Sequence, residues 1–203
     1  MSAVDASGQY DSYLYQVIHH PDYILTTPRL GLRRWLPADI PPYARMNQDP
    51  AVREYFPSLM TYEESAVSVR LIERHFDEYG YGLYAVDVLL TGEFIGFNGF
   101  SHPGFDAWFT PCVEIGWRLR QEAWGQGYAV EAAQAVLAYG LGTLGLTKVL
   151  SWTAVLNTRS ERVMQKIGMT RVGEFEHPGV AYGHVLRPHV LYEVAAAVMN
   201  SSV

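Results

Sequence analysis

Val113-Glu114-Ile115-Gly116-Trp117-Arg118-Leu119, followed four residues later by Trp124-Gly125-Gln126-Gly127-Tyr128-Ala129, is the stretch that decides how this chain folds. The first seven residues alternate apolar side chains with Glu114, Gly116 and Arg118, the pattern of a strand. The glycines break it, and from Tyr128 to Leu146 nearly everything is apolar except Glu131 and Gln134, which predicts a helix buried on most sides. Glycines at a strand-to-helix turn let backbone N–H groups converge before a helix N-terminus, whose partial positive charge completes a phosphate cradle. The same residues also suit a tight turn before a core helix. The motif lacks the third glycine of a dinucleotide fingerprint and the Gly-Lys-Ser/Thr of a nucleoside triphosphate loop.

Outward from this stretch the pattern is α/β. Residues 148–155 form a strand leading into Asn157-Thr158-Arg159-Ser160, and residues 158–167 a helix stopped by Gly168. Thr158 and Glu161 have capping-box spacing. With Thr158 as cap, Asn157 and Ser160 are left to hydrogen-bond a peptide-like ligand; the alternative is that Asn157 itself caps or turns the chain. Residues 169–175 and 189–194 are strands. Towards the N-terminus, Leu30 to Trp35 alternate as a strand closed by Pro37, and Asp39 is placed to cap a short helical region through Tyr43, Met46, Val52 and Tyr55. Thr61 and Glu64 open a helix carrying Val67, Leu71, Ile72, His75, Phe76 and Tyr79, which Gly80 ends. Residues 81–90 and 93–100 form a hairpin about Thr91-Gly92, and 102–111 a loop.

The expected whole is one domain over residues 23–203 behind a flexible N-terminal arm, residues 1–22. Its 203 residues, 49% hydrophobic and 18% charged, suffice for a core without staples. A net charge of −6 argues against nucleic-acid and anionic-membrane partners. No apolar run approaches the roughly 18 residues of a membrane span, and the first nine residues lack a signal-peptide pattern. Cys112 is the only cysteine, which excludes an intramolecular disulfide and a cysteine-rich zinc site and suits the cytoplasm. The seven histidines lack metal-ligand spacing, so no metal is expected. The charge is uneven: Arg118 to Arg171 holds seven Lys and Arg against three Asp and Glu, a basic island over the proposed cradle.

These motifs together resemble the Gcn5-related N-acetyltransferases (GNAT), and within them the RimJ/RimL type of ribosomal-protein N-terminal acetyltransferase. The resemblance runs from Thr27-Pro28-Arg29-Leu30 to Leu191-Tyr192 and is most specific at Glu114-Ile115-Gly116-Trp117, Trp124 to Ala129 with Glu131-Ala132, and Asn157 to Ser160 running into Lys166-Ile167-Gly168-Met169. It implies a mixed, splayed sheet of about six to seven strands with about four helices, and acetyl-coenzyme A between two parting strands. The implied reaction is transfer of acetyl to a primary amine, on a protein N-terminus or a small molecule, by direct attack. Gly125, Gln126, Gly127, Tyr128 and Ala129 would bind the pyrophosphate through their amides. Trp117, Arg118 and Leu119 would lend their backbone to pantetheine and thioester, with Asn157 on the other wall and Ser160 near the sulfur.

Two positions depart from the family. Glu122 stands where Gln or Arg is frequent, leaving Gln121 or Arg120 to substitute, and Met164 replaces a frequent tyrosine acid. These departures sustain a second expectation, a non-catalytic acyl-CoA-binding or sensing protein. For catalysis Glu114, with Gly116 and Arg118 on its face of the strand, is the candidate base, unless it is an ordinary cross-strand pair with an arginine. Ser160 is the candidate proton donor, unless its hydroxyl serves the backbone. Cys112 has no flanking base and is read as a packing residue. His177 follows a strand near the acceptor end and either lines the substrate pocket or bonds its own loop. His102, Phe105 and Trp108 sit on a loop that either covers the acceptor or makes homodimer contacts.

Overall fold

The computed structural model describes residues 22–196. The expected arm, apart from Asp22, lies outside the described residues. Among the described residues one mixed sheet of eight strands carries four α-helices. The strands are β1 (Leu25–Thr26), β2 (Leu30–Arg33), β3 (Leu83–Val88), β4 (Glu93–Ser101), β5 (Glu114–Leu119), β6 (Lys148–Ala154), β7 (Thr170–Glu176) and β8 (Pro188–Ala195). They lie in the order β1-β2-β3-β4-β5-β6-β8-β7. Only β5 and β6 run parallel. The strand beyond the expected seven is β1, two residues long and too short to show alternation.

The helices are α1 (Ile40–Gln48), α2 (Tyr62–Tyr79), α3 (Tyr128–Gly142) and α4 (Thr158–Lys166). α2 begins and ends on the expected residues. Thr61 accepts from the Glu64 N–H at 3.1 Å, the Glu64 carboxylate accepts from the Thr61 N–H at 2.7 Å, and Gly80 closes the helix at φ 76°. α3 stops four residues short of Leu146, because Gly145 turns to φ 70° and the Leu146 N–H returns to the Gly140 carbonyl. It is buried on one face only, through Ala132, Ala133, Val136, Leu137 and Gly140. Exposing the opposite Ala138 costs little, so a helix of small residues can look uniformly apolar in sequence and still be one-sided. A Cβ on Gly140 would fall 2.3 Å from Phe100 of β4, so α3 lies directly on the sheet.

On the other face α1 packs against β4, and α2 packs against α1. A bulge at Ile95 switches the faces of β4: Val86 pairs with Gly96, but Asp87 pairs with Phe94. Phe94 and Phe97 thereby share the α1 face with Trp35 and Tyr43. The bulge needs Gly96, whose φ is 141° and whose Cβ would lie 2.1 Å from the Arg118 carbonyl oxygen. None of the described helices is long and apolar enough to cross a membrane.

The sheet opens in its middle. β5 and β6 share a single register pair, Glu114 with Leu150, supported by Leu150 N–H to the Val113 carbonyl at 2.9 Å. The next rung is a side chain: the Ser151 hydroxyl donates to the Ile115 carbonyl at 2.9 Å. Beyond it the strands part.

Candidate active site

The parting strands bound a cavity of about 760 Å³, within the usual range for small-molecule sites. The carbonyls of Val113 and Ile115 aim at β6, so by strand alternation the amide groups of Trp117 and Leu119 aim into the gap. The Leu119 carbonyl is taken by the Trp124 indole N–H at 2.8 Å. Trp117, Arg118 and Leu119 all line the cavity, as do Gly125, Gly127, Tyr128 and Ala129. Gly125 and Gly127 hold φ of 76° and 81°, a left-handed conformation open to glycine at little cost. Gln126 is exposed outside the lining, its carbonyl accepting from Arg29 Nη1 at 2.9 Å.

That turn is braced by residues whose role their own sequence does not reveal. Glu131, in the first turn of α3, accepts from Thr27 Oγ1 at 2.6 Å, from the Arg29 N–H at 3.0 Å and from Arg29 Nε at 2.7 Å. Burial pushes the Glu131 carboxyl up, but these hydrogen bonds outweigh it and hold it below the usual carboxylate range. The guanidinium of Arg29 also lies over the Tyr128 ring, 4.6 Å from its centroid. The partners are about a hundred residues apart, so only their nearness to the glycines could have suggested the link.

On the opposite wall the structure decides between the two readings of the cap. Asn157, not Thr158, caps α4: it sits one residue before the helix, and its Oδ1 accepts from the Ser160 N–H at 3.2 Å. Its Nδ2 donates to Thr153 Oγ1 at 2.9 Å, tying the cap to β6. One amide N–H and one lone pair remain, and the residue still lines the cavity. No described residue engages the Ser160 hydroxyl, which lines the same space. Met164 is fully buried in the core.

The basic island is largely neutralised. Arg120 pairs with Glu93, Lys148 with Glu193, Arg159 with Glu54 and Arg171 with Glu174. Arg120 is therefore committed elsewhere, and neither it nor Gln121 nor Glu122 lines the cavity. Arg162 and Lys166, on the cavity side of α4, stand in no ion pair among the described residues and supply positive charge at the rim.

Glu114, Gly116 and Arg118 share one face of β5 and all line the cavity. Glu114 does not pair with Arg118; its carboxylate accepts from the Ser101 hydroxyl at 3.3 Å. Burial pushes its pKa up to about 8. Arg118 instead reaches α1, donating to Asn47 Oδ1 at 2.7 Å. Burial and, to a lesser degree, Glu114 push the Cys112 thiol up to about 11, so it is neutral at pH 7 and a poor nucleophile.

Beyond Glu114 the cavity ends among aromatic rings. Phe105 packs on Trp152 at 5.7 Å and on His177 at 4.9 Å, and His177 and His189 lie 4.8 Å apart. The N–H of Gly179 donates to His177 Nδ1 at 3.1 Å, so this loop histidine both bonds its own turn and lines the pocket. His189 was not singled out by its sequence, because strand position alone does not distinguish a pocket side chain from a core one. Trp108 is 69% exposed. His102 turns away, its Nδ1 3.0 Å from His75 Nε2, and anchors the start of the loop.

Residues 29–170 match the family described as Acetyltransferase (GNAT) domain. The Bacillus subtilis (strain 168) N-acetyltransferase YnaD is 29% identical over 153 residues, 75% of this chain and 85% of that protein. A GNAT-family acetyltransferase structure from Bacillus anthracis superimposes with a TM-score of 0.70 at 26% identity, over 85% of this chain and 98% of that one. RimL, the ribosomal L7/L12 alpha-N-protein acetyltransferase solved with coenzyme A, superimposes with a TM-score of 0.69 over 86% of this chain and 98% of its own. At 17% identity the last is a likeness of fold.

Proposed function

Because this chain belongs to the GNAT acetyltransferase family, which draws acetyl groups from acetyl-CoA, we propose that it acetylates a primary amine by direct attack, with donor and acceptor bound together. The observation that carries this reading is Glu114: a carboxyl without a cationic partner among the described residues, set where β5 and β6 begin to part, with a pKa near 8. The cavity suits the donor. Its parted strands turn backbone N–H groups of Trp117 and Leu119 into the gap, its glycine turn lines the same space, and Arg162 and Lys166 face the rim.

In this assignment the turn from Gly125 to Ala129 holds the pyrophosphate through its amides, and Trp117 to Leu119 hold the pantetheine arm along their backbone. The spare amide capacity of Asn157 serves the other side of that arm. When bound, acetyl-CoA supplies a thioester carbonyl and a thiol leaving group. Glu114 takes a proton from the acceptor ammonium, leaving the amine lone pair free. An N–H of the Trp117 to Leu119 backbone steadies charge on the carbonyl oxygen. The Ser160 hydroxyl returns a proton at sulfur, the role Met164 cannot fill. The cytoplasmic location suggested by the lone Cys112 belongs to the same proposal.

The test is thiol release from acetyl-CoA over a panel of primary amines, with acetylated product identified by mass spectrometry. Glu114→Gln should lower kcat about a hundredfold or more while coenzyme A affinity stays put. Wild-type kcat/KM should climb with pH through a pKa near 8, and the variant should lose that climb. A variant with the wild-type pH profile would remove Glu114 from the base role. Tight donor binding with no turnover on any amine would sink the transferase reading.

A further inference from the structure

The side chain of Arg118 is a charged feature of the cavity that acetyl transfer leaves unused. Its backbone belongs to β5, but its guanidinium stands in the cavity wall beyond Gly116, at the other end of the face that carries Glu114. It lies 4.2 Å from the centroid of Phe56 and 5.3 Å from that of Phe97, and its described partner is the neutral Asn47 Oδ1. Its Nε is buried without any partner. No carboxylate among the described residues pairs with it; burial pushes its pKa down to about 10, the Tyr43 hydroxyl, which also hydrogen-bonds it, works against that shift, and a second cation, Arg53, adds to it.

Of the other arginines with buried side chains, Arg53 rests on the neutral Ser58 carbonyl and the Met60 sulfur, whereas Arg33 is fully paired. Arg33 is held by two carboxylates, Asp39 at 2.6 Å and Asp87 at 2.7 Å. A desolvated guanidinium left with neutral partners is held at a cost that an incoming anion would offset. The geometry between the two charges points the same way. A Cβ on Gly116 would meet nothing nearer than Glu114 Oε1 at 3.9 Å, so open space lies over the glycine between carboxyl and guanidinium.

We infer that the acceptor is an amino carboxylate, its ammonium group delivered to Glu114 and its carboxylate bound by Arg118 across Gly116. This deepens the proposed amine acetylation and rests on it. Arg118 is then a specificity-determining residue, selecting amines that carry an anion. Asn47, Phe56 and Phe97 hold its planar fork in place. Residues four apart on a strand are separated by roughly 13 Å of backbone, so the chain length between amine and carboxylate is part of what the pocket selects.

The experiment compares glycine, β-alanine and γ-aminobutyrate with their amides at saturating acetyl-CoA, by thiol release. The wild type should favour acid over amide about tenfold or more in kcat/KM at one chain length, with the difference in KM. In Arg118→Gln the ratio should fall towards one, and Arg118→Lys should keep part of it. Calorimetry of the N-acetylated acid and amide on the coenzyme A-loaded wild type reads the same preference without turnover, and without a variant that could misfold. Thiol release with no acid preference overturns the carboxylate contact and leaves acetyl transfer standing. A preference unchanged in Arg118→Gln also overturns it. Acid-selective binding with no thiol release from any amine supports the contact and overturns the transferase reading instead.

Discussion

At the scale of single residues, Glu114 links chemistry to stability. Its folded pKa of about 8 stands above an ordinary 4.5 because burial disfavours the carboxylate. Between those values the folded protein keeps a proton that the unfolded chain has released, so stability falls as pH rises through the window and levels off above it. Each unit of displacement is worth about 1.4 kcal/mol, and in a chain of this length each kcal/mol moves Tm by about 2–4 °C. Glu114→Gln removes the penalty. Its Tm should match the wild type near pH 4.5 and exceed it by several degrees above pH 8, as scanning calorimetry at the two pH values can show. A Tm difference that does not change with pH would mean that the carboxyl ionises freely in the folded state. The same burial that makes Glu114 costly suits it to the base role proposed for it, which would be activity held at the expense of stability.

At the scale of elements, the motif from β5 to α3 was legible because each part is local. The strand shows alternation, the turn shows its glycines, and the capping box of α2 spans four residues. The cap of α4 stays open in the sequence because Asn157 and Thr158 are adjacent and both able to cap; the backbone at Asn157, φ −85° and ψ 67°, decides between them. The bulge at Ile95 was equally hidden, since a Gly within a strand marks either a bulge or a close approach, and Gly96 is both. The glycine turn supports a prediction of its own. A Cβ on Gly127 would meet Arg29 only at 3.5 Å, an ordinary contact, so backbone conformation and ligand approach decide the effect there, not packing. Gly127→Val must hold a β-branched residue at φ 81°, at a cost of about 1–2 kcal/mol, and should weaken coenzyme A binding about tenfold or more by titration calorimetry. Gly142→Ala, at the exposed end of α3, should change neither. Equal affinities in the two variants would show that the turn does not touch the ligand.

At the scale of the whole molecule, what holds the two halves of the sheet in register is almost entirely long-range and therefore illegible in local patterns. One continuous core runs from Leu30 and Leu32 through Phe100 and Ile115 to Val149, Met164 and Val190, bridging the gap that β5 and β6 leave open. Beside it stands the cluster of Arg33, Asp39 and Asp87, exposed by 4%, 3% and 2%. Strand alternation places Arg33 on the outer face of β2. In the fold that face is covered, and Arg33 joins β2 to β3 and to the turn before α1 through four charge-assisted hydrogen bonds to carboxylates. Asp39 also accepts from the Leu36 N–H at 2.8 Å, so the acid expected to cap α1 is spent on this cluster and on the turn. A buried cation stripped of one partner is penalised more than the pair was worth, because the remaining charge stays desolvated. Asp87→Ala should therefore cost about 3–5 kcal/mol, read as a lower urea midpoint. Because the core is continuous, the loss should appear as a single shifted transition and not as early melting of one half. Asp77→Ala, which breaks the exposed Arg34–Asp77 pair, should cost less than about 1 kcal/mol. Equal losses in the two variants would mean that water screens the cluster as it does a surface pair, and two separate transitions in Asp87→Ala would mean that the gap between β5 and β6 divides the molecule into independently folding halves.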